Sequence, residues 1–245
     1  AFPTPQRIEI VGAGRMGRAL AAELSALGFD TTLGARGARG SAADVVLLAV
    51  PDAAIAEAAA RIEPGRLVGH LSGATPLDPL APHEAFGLHP LTSVAREGAA
   101  EGAVATAAGT TRLFAGVHAA VDGTSARALA VAEQLAHALG MLPFRLAAGD
   151  RAAYHAAASV ASNFLVTLEA FAEQLAASAG VPREALAPIV RATVRNWEAL
   201  GAPAALTGPV ARGDEATIAA QRGAVAERAP ERLDLFDALV AATRD

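Results

Sequence analysis

Three side chains that could serve a proton transfer recur at intervals of four residues in the second half of the chain. They are His155, Ser159 and Asn163, and this spacing places them within about 80° of one another on one face of a helix. An imidazole titrates near neutral pH and can act as a general acid or base, and an amide can orient a carbonyl or carboxylate group. The pattern predicts a catalytic helix face with His155 as the proton donor.

The composition narrows the choice of acid–base groups. The chain has no lysine and no cysteine, and Tyr154 is its single tyrosine. Arginine does not release its proton, so histidine, Tyr154 and the carboxylic acids remain as donors. Tyr154 lies about 100° from His155 around the helix, and we interpret it as structural. The alternative for the polar face is a contact with another helix, in which the Ser and Asn side chains are hydrogen-bonded.

A second histidine, His89, stands in the sequence GLHP directly after a predicted strand. Substrates of doubly wound sheets bind at the carboxyl ends of the strands, which makes His89 a candidate pocket residue and a competing proton donor. A structural turn is the alternative. The spacing of the six histidines does not fit a compact metal-ligand motif, and we predict no metal site.

A glycine-rich turn, Gly12-x-Gly14-x-x-Gly17, follows a β-branched run and opens a helical stretch. In this position the first glycine allows a tight turn, the second lets a pyrophosphate approach the backbone, and the third lets the helix pack on the sheet. The N–H groups at the start of the helix, with Arg15 and Met16 beside them, can then hold the phosphates. The motif therefore predicts a dinucleotide-binding site.

The end of the second predicted strand indicates which dinucleotide is bound. NAD sites usually carry an acidic residue there, which bonds the ribose hydroxyls. Here the sequence is LGARGAR, in which Arg36 and Arg39 could grip a 2′-phosphate. We therefore expect NADP rather than NAD. The alternative is that both are ordinary loop arginines.

Other segments complete the predicted site. Val50 and Pro51 end a long apolar strand, and Ser72 and Gly73 follow the next strand, so both pairs are expected to line the cofactor pocket. Arg212, in a loop between helices, is a candidate clamp for a substrate carboxylate, in its own subunit or in a partner's. The alternative for Arg212 is a solvent-facing loop residue.

These residues require elements that place them together. Strand and helix signals alternate over residues 1–148, which predicts an α/β domain with a doubly wound Rossmann sheet. Over 149–245 the signals are helical, with Asp150 as the cap of a long helix that runs to about residue 178 and is closed by Gly180. We therefore predict a dinucleotide-binding domain followed by an all-helical domain.

The composition also disfavours several classes of protein. The absence of cysteine excludes disulfides, and a formal net charge of −5 argues against nucleic-acid binding. No stretch approaches the length of a membrane span, and no basic, apolar leader opens the chain, so we expect a cytoplasmic protein. The helical half is rich in alanine and poorly suited to a deep core of its own, which predicts a homodimer formed through that half.

Several of these segments together resemble the superfamily of 6-phosphogluconate, 3-hydroxyisobutyrate, prephenate and pyrroline-5-carboxylate dehydrogenases and reductases. They are GAGRMG at 12–17, LLAVPD at 47–52 and GLHPL at 87–91. The second half is similar to one branch, through YHAAASVASNFLVTL at 154–168 and LTGPVARGD at 206–214. In that branch a Rossmann domain precedes a helical domain of unknown function, and members are described as NADP-dependent oxidoreductases.

The resemblance implies reduction of a small carbonyl or imine compound, with a ketopantoate-like 2-oxo acid as one candidate substrate. Hydroxyisobutyrate-type enzymes carry a catalytic lysine and an asparagine on the first helix after the Rossmann domain, where this chain has His155, Ser159 and Asn163. Their mechanism therefore does not transfer unchanged. The missing lysine favours a second hypothesis, a noncatalytic NADP-binding protein that senses redox state or assembles partners.

Overall fold

The computed structural model describes residues 3–35, 37–94, 104–105, 111–147 and 149–244. The strands in this part of the chain are β1 (Arg7–Val11), β2 (Asp30–Gly34), β3 (Val45–Leu48), β4 (Leu67–His70), β5 (Glu84–Pro90), β6 (Val104–Ala105), β7 (Thr111–Arg112), β8 (His118–Gly123) and β9 (Leu142–Arg145). The helices are α1 (Arg15–Ala26), α2 (Ile55–Arg61), α3 (Ala126–Ala138), α4 (Arg151–Ser159), α5 (Leu165–Ser178), α6 (Ala187–Leu200), α7 (Ala202–Ala205), α8 (Glu215–Arg228) and α9 (Leu233–Arg244).

Seven of these strands form one sheet in the order β2-β1-β3-β4-β5-β8-β9. Neighbouring strands run parallel except β5 and β8, which are antiparallel, with His89 opposite Ala120. The strand order reverses at β1, since the chain passes first to β2 and then back across β1 to β3. Doubly wound sheets bind their ligands at such a reversal. The predicted α/β class with a Rossmann sheet is confirmed.

The sheet has an apolar core on each of its faces, as β3 illustrates. Val45 and Leu47 belong to the core that includes side chains of α1 and α3, whereas Val46 and Leu48 belong to the core under α2. All four side chains are buried, and each contributes about 1.5–3 kcal/mol to stability. This is why an uninterrupted apolar run, rather than an alternating one, forms a central strand of this sheet.

The described chain divides into two compact units, Ala1–Ser159 and Val160–Asp245. The first unit contains the sheet, α1 to α3 and also α4. Helix α4 belongs with the sheet because the guanidinium of Arg151 forms an ion pair with Asp122 of β8, with Nη2 2.7 Å from Oδ2. The boundary at residues 148–149 stays a prediction about domain organisation.

The second unit contains α5 to α9 and has a small apolar core. Phe171, Val225 and Ala229 are buried there, and four partly buried apolar side chains pack against them: Leu175, Leu233, Leu235 and Phe236. Large apolar side chains remain exposed on α5 and α6, among them Val166, Ile189 and Trp197. The alanine-rich helices therefore leave much of their apolar surface without cover within one chain.

A π-helical turn, Val160–Phe164, interrupts the long helix that the sequence predicts between Asp150 and Gly180. Since a π turn holds more residues than an α turn, the 100° spacing used to place Asn163 does not hold through this segment. The predicted end of the helix agrees better with the structure. Gly180 follows α5 with a φ of +75°, as a glycine beyond a helix C-terminus often does.

The described residues contain neither a single membrane-spanning helix nor a cluster of metal-ligating side chains. None of the described helices is by itself long and apolar enough to cross a membrane, although Arg151–Ser178 and Arg183–Leu200 meet that criterion as a bent pair, by length and composition. Within the same part of the chain, no three His, Cys, Asp or Glu side chains are grouped to hold a metal ion.

Candidate functional site

The three glycines between β1 and α1 have different structural roles. Gly12 has a φ of +120°, and a Cβ atom on it would come within 2.3 Å of the carbonyl oxygen of Ala49. A Cβ on Gly17 would come within 1.9 Å of the carbonyl oxygen of Gly12. A Cβ on Gly14 would meet nothing within 4 Å. The fold therefore requires Gly12 and Gly17, whereas Gly14 faces open space in which a ligand group fits.

The first turn of α1 presents its backbone N–H groups next to this open space. Gly14 is the N-cap residue, so no side chain accepts hydrogen bonds from the first turn, and that turn carries no acidic residue. The free N–H groups and the positive end of the helix dipole favour an anion. A phosphate group bound here would satisfy both.

A cavity of about 600 Å³ extends from the glycine-rich turn across the ends of β1, β2 and β3. Most of its lining is glycine, alanine, valine and proline, and two charged side chains of α2 complete it. The lining residues are Val11, Gly12, Ala13, Gly14, Gly34, Ala35, Gly37, Ala38, Ala49, Val50, Pro51, Ala54, Glu57, Ala58 and Arg61. The volume and the small side chains suit a nucleotide with a flat base and a diphosphate.

Of the residues predicted to bind the cofactor, Gly12, Gly14, Val50 and Pro51 line this cavity. Arg15, Met16 and Arg39 make other contacts. The guanidinium of Arg15 donates a hydrogen bond of 3.0 Å to the carbonyl oxygen of Val94, and Met16 packs against the main core. Arg39 is exposed, and its Nε lies 3.9 Å from Oε1 of Glu63. Arg36 lies outside the described residues.

Ser72 connects the loops that follow β3 and β4. Its hydroxyl donates a hydrogen bond of 2.8 Å to Oδ2 of Asp52, and its Oγ accepts the N–H groups of Ala74 and Thr75 at 3.1 and 2.8 Å. Because these bonds occupy the Ser72 side chain, its contribution here is to fix the two loops at the carboxyl edge of the sheet. Gly73 follows, and a Cβ atom on it would lie 2.8 Å from Cε1 of His89. Gly73 therefore leaves the room that the imidazole of His89 needs.

His89 and Tyr154 form a hydrogen-bonded pair at the end of β5. Nδ1 of His89 lies 2.6 Å from the hydroxyl oxygen of Tyr154, and the rings meet edge to face with centroids 5.4 Å apart. Burial lowers the pKa of His89 to about 4, and the neighbouring His155 acts in the same direction. Burial also raises the pKa of Tyr154. At neutral pH the pair consists of an uncharged imidazole and an uncharged phenol.

His155 completes a cluster of three rings. Its ring centroid lies 6.5 Å from that of His89, and its Nδ1 is shielded from solvent without a hydrogen-bond partner among the described residues. The structure thus brings together His89, Tyr154 and His155. The helical projection missed the part played by Tyr154, since it considered the direction of Cβ and not the reach of a phenol from α4 back to β5.

The other predicted catalytic residues lie further along the chain. Ser159 is the last residue of α4, and Asn163 lies in the π turn of the second unit with an exposed side chain, where its carbonyl oxygen accepts the hydroxyl of Thr167 at 3.1 Å. Arg212 is exposed in the second unit, near the start of α8. Asp214 caps that helix by accepting the N–H of Thr217 at 3.1 Å.

A third histidine at this edge of the sheet, His70, has a structural role. Its Nδ1 accepts the N–H of Ser72 at 3.2 Å, which leaves Nε2 to donate to the carbonyl oxygen of Pro76 at 3.1 Å. The side chain is fully buried, and this burial lowers its pKa. His70 therefore stays neutral and shapes the loop after β4.

Residues 117–243 match the family described as a domain of unknown function, DUF2520. The match spans just over half of the chain, which therefore belongs to this family. No protein of curated function matches the sequence.

Several solved structures share the fold over nearly the whole chain. A proposed NADP oxidoreductase from Bacteroides fragilis, BF3122, is 21% identical, with a TM-score of 0.80 over 98% of both chains. Protein TM1727 from Thermotoga maritima is also 21% identical, with a TM-score of 0.81 over 97% of this chain and 98% of the other. A reductive aminase from Aspergillus terreus, in complex with NADPH and ethyl-5-oxohexanoate, is 18% identical. Its TM-score is 0.68 over 98% of this chain and 93% of the other. These similarities establish a Rossmann-like fold for the chain.

Proposed function

We propose that this protein is an NADP-dependent oxidoreductase that reduces a small carbonyl or imine compound. One observation carries the proposal: a single edge of the sheet holds both a glycine-lined cavity of nucleotide size and the half-buried pair His89–Tyr154. Two proteins of the same fold support it, since BF3122 is described as an NADP oxidoreductase and the reductive aminase binds NADPH.

The order of the strands supports an assignment of the cofactor-binding residues. Gly14 and the first turn of α1 would hold the diphosphate, and the loop after β2 would hold the adenosine. Val50 and Pro51, which follow β3, would line the path toward the reacting end. His89 ends β5, three strand positions from β1, which corresponds to roughly 14 Å across the sheet.

Bound NADPH would supply a hydride to the substrate carbon, and the chain would supply the proton. We propose His155 as the donor to the developing alkoxide or amine, because its Nδ1 is shielded and unpartnered among the described residues. His89, uncharged at neutral pH, would hydrogen-bond the substrate in a position fixed by Tyr154. Ser159, which ends α4 four residues after His155, would orient the substrate. The roles of Asn163 in orienting the substrate and of Arg212 in binding a carboxylate, as in a 2-oxo acid such as ketopantoate, stay predictions from the sequence.

The absence of lysine from the chain favours a second candidate function, a noncatalytic NADP-binding protein. The two are distinguished by measuring NADPH binding and NADPH oxidation with the full chain, over a panel of 2-oxo acids and of ketones supplied with an amine. The reductase proposal expects binding together with oxidation by at least one member of the panel. Tight binding without oxidation across the panel would favour the noncatalytic function, and the absence of nucleotide binding would overturn both.

We also propose that two copies of the chain associate through the second unit. Val166, Ile189 and Trp197 expose 68%, 65% and 56% of their surface, whereas the core of this unit consists of a few side chains around Phe171. Exposed apolar surface of this extent commonly marks an interface with another protein. A second copy of the same chain is the occupant that a symmetric helical contact favours.

A further inference from the structure

The cavity contains two charged side chains that the sequence motifs do not indicate. Arg61 and Glu57 lie one turn apart on α2, and both line the cavity. Nη2 of Arg61 lies 2.6 Å from Oε1 of Glu57. The other described lining residues are uncharged, so this pair dominates the electrostatics of the cavity within the part of the chain that the structure describes.

The guanidinium of Arg61 lies at the end of the cavity formed by the loop after β2. A Cβ atom on Gly37 of that loop would lie 3.9 Å from Nη1 of Arg61. In Rossmann folds the end of this strand is the place where the adenosine ribose is recognised. Arg61 therefore approaches the position at which NAD and NADP differ, and it does so from a helix rather than from the strand.

We propose that Arg61 and Glu57 together set the choice between NADP and NAD. The inference rests on the proposed function, because it concerns the cofactor of the same site. The guanidinium of Arg61 would bind the 2′-phosphate through a charge-assisted, two-pronged contact. The ion pair with Glu57 orients the guanidinium of Arg61. In a variant without Arg61, the carboxylate of Glu57 would be free to accept hydrogen bonds from unphosphorylated ribose hydroxyls.

Two adenosine fragments test this proposal without any substrate. Adenosine 2′,5′-bisphosphate carries the 2′-phosphate and 5′-AMP lacks it, so calorimetric titration of the full chain with each isolates the contribution of that phosphate. Arg61→Gln should weaken binding of the bisphosphate by about tenfold or more, because a charge-assisted contact is lost, with 5′-AMP binding changed by less than about twofold. Glu57→Gln should strengthen binding of the bisphosphate, because its competitor for Arg61 is neutralised.

Matched variants keep the result interpretable. Arg145→Gln removes another arginine from a surface ion pair, with Glu133 at 2.9 Å, on the strand at the opposite edge of the sheet, and should change neither affinity. Arg61→Lys should restore part of the affinity for the bisphosphate. Equal weakening of both fragments by Arg61→Gln, or no weakening of either, would overturn the inference while leaving the proposed function in place. Failure of the wild-type chain to bind either fragment would overturn the proposed function as well.

Discussion

The hydroxyl of Tyr154 lies 2.6 Å from Nδ1 of His89 and joins α4 to the end of β5. The ring of Tyr154 also packs against Phe144, with centroids 5.8 Å apart, which fixes the phenol between β5 and β9. Two residues that are 65 positions apart in the sequence thus form a half-buried polar contact at the carboxyl edge of the sheet. The contact therefore fixes the orientation of His89 at the edge of the sheet where doubly wound folds bind their ligands.

The strength of this contact is measurable. Tyr154→Phe keeps the ring and removes the hydroxyl, and should lower the free energy of unfolding by about 1 kcal/mol, because Nδ1 of His89 loses its partner. In a cycle with His89→Ala, the double variant should be less destabilised than the sum of the two single variants, by about 0.5 kcal/mol or more. Urea unfolding gives the free energy of unfolding of the wild type, the two single variants and the double variant. Strict additivity would show that the contact contributes nothing to stability.

The low pKa of His89 predicts how stability depends on pH. Its pKa is about 4 in the folded protein and about 6.5 in the unfolded chain. Between these values the unfolded state binds more protons, so the contribution of neutral His89 is complete above pH 6.5 and is lost as the pH falls toward 4. The buried His70, whose pKa is also lowered, acts in the same direction.

Comparison with His89→Gln separates this contribution from that of the carboxylates, which titrate in both proteins. The difference in unfolding free energy between wild type and His89→Gln should decrease steadily as the pH falls from 6.5 to 4. Urea unfolding at half-unit pH intervals measures it. A difference that stays constant over this range would contradict the burial of an uncharged imidazole at this position.

Substitution of two glycines should separate binding from folding. Gly17→Ala should destabilise the protein by several kcal/mol, since its Cβ would meet the carbonyl oxygen of Gly12. Gly14→Ala should lower the free energy of unfolding by less than about 1 kcal/mol, since its Cβ meets no described protein atom within 4 Å. The same methyl group would occupy the space proposed for the diphosphate, so NADPH binding should weaken at least tenfold. Unchanged NADPH affinity in a folded Gly14→Ala variant would contradict this use of the motif.

The sequence predicts the Rossmann sheet well because its signals are local. The β-branched run, the glycines that follow it and the fully apolar strand β3 each depend on their own backbone and on burial on both faces. These local signals predict neither the antiparallel direction of β8 nor the π turn at Val160–Phe164. The pairing of β8 with β5 joins distant segments, for which a periodic pattern carries no signal.

The candidate site is predictable only in part, because some of its contacts join residues that are distant in the sequence. Gly12 and Gly14 line the cavity as their motif indicates, whereas Arg61 reaches it from a helix that carries no binding signature. Tyr154 likewise contacts His89 through the tertiary fold. A rotation angle around one helix predicts which residues share a face, but it does not show which strand a long side chain of that helix will reach.

The exposed apolar residues of the second unit predict a dimer in solution. Light scattering at micromolar concentration should give a mass near twice the 24.6 kDa of one chain. Ile189→Glu places a charge on the exposed face of α6 and should shift the protein toward the monomer. Leu142→Glu, at a position of the first unit that is 49% exposed, is the matched control and should leave the mass unchanged. A monomeric wild-type protein would rule out this association.

The proposed role of His155 is the prediction that separates a reductase from a noncatalytic protein. Without lysine or cysteine, the ring cluster offers His155, His89 and Tyr154 as proton donors. His155→Gln should retain the fold and the NADPH affinity and lower turnover by about 10²–10⁴-fold, as expected for the loss of a general acid.

His89→Gln, measured in parallel, decides between the two histidines. Because His89 is already uncharged at neutral pH, its replacement should raise KM for the substrate more than it lowers kcat. If His89→Gln abolishes turnover while His155→Gln leaves it unchanged, the donor is His89, and the mechanism proposed for His155 is wrong. Equal losses of kcat in both variants would instead indicate that the two rings act as one unit, since their centroids lie 6.5 Å apart.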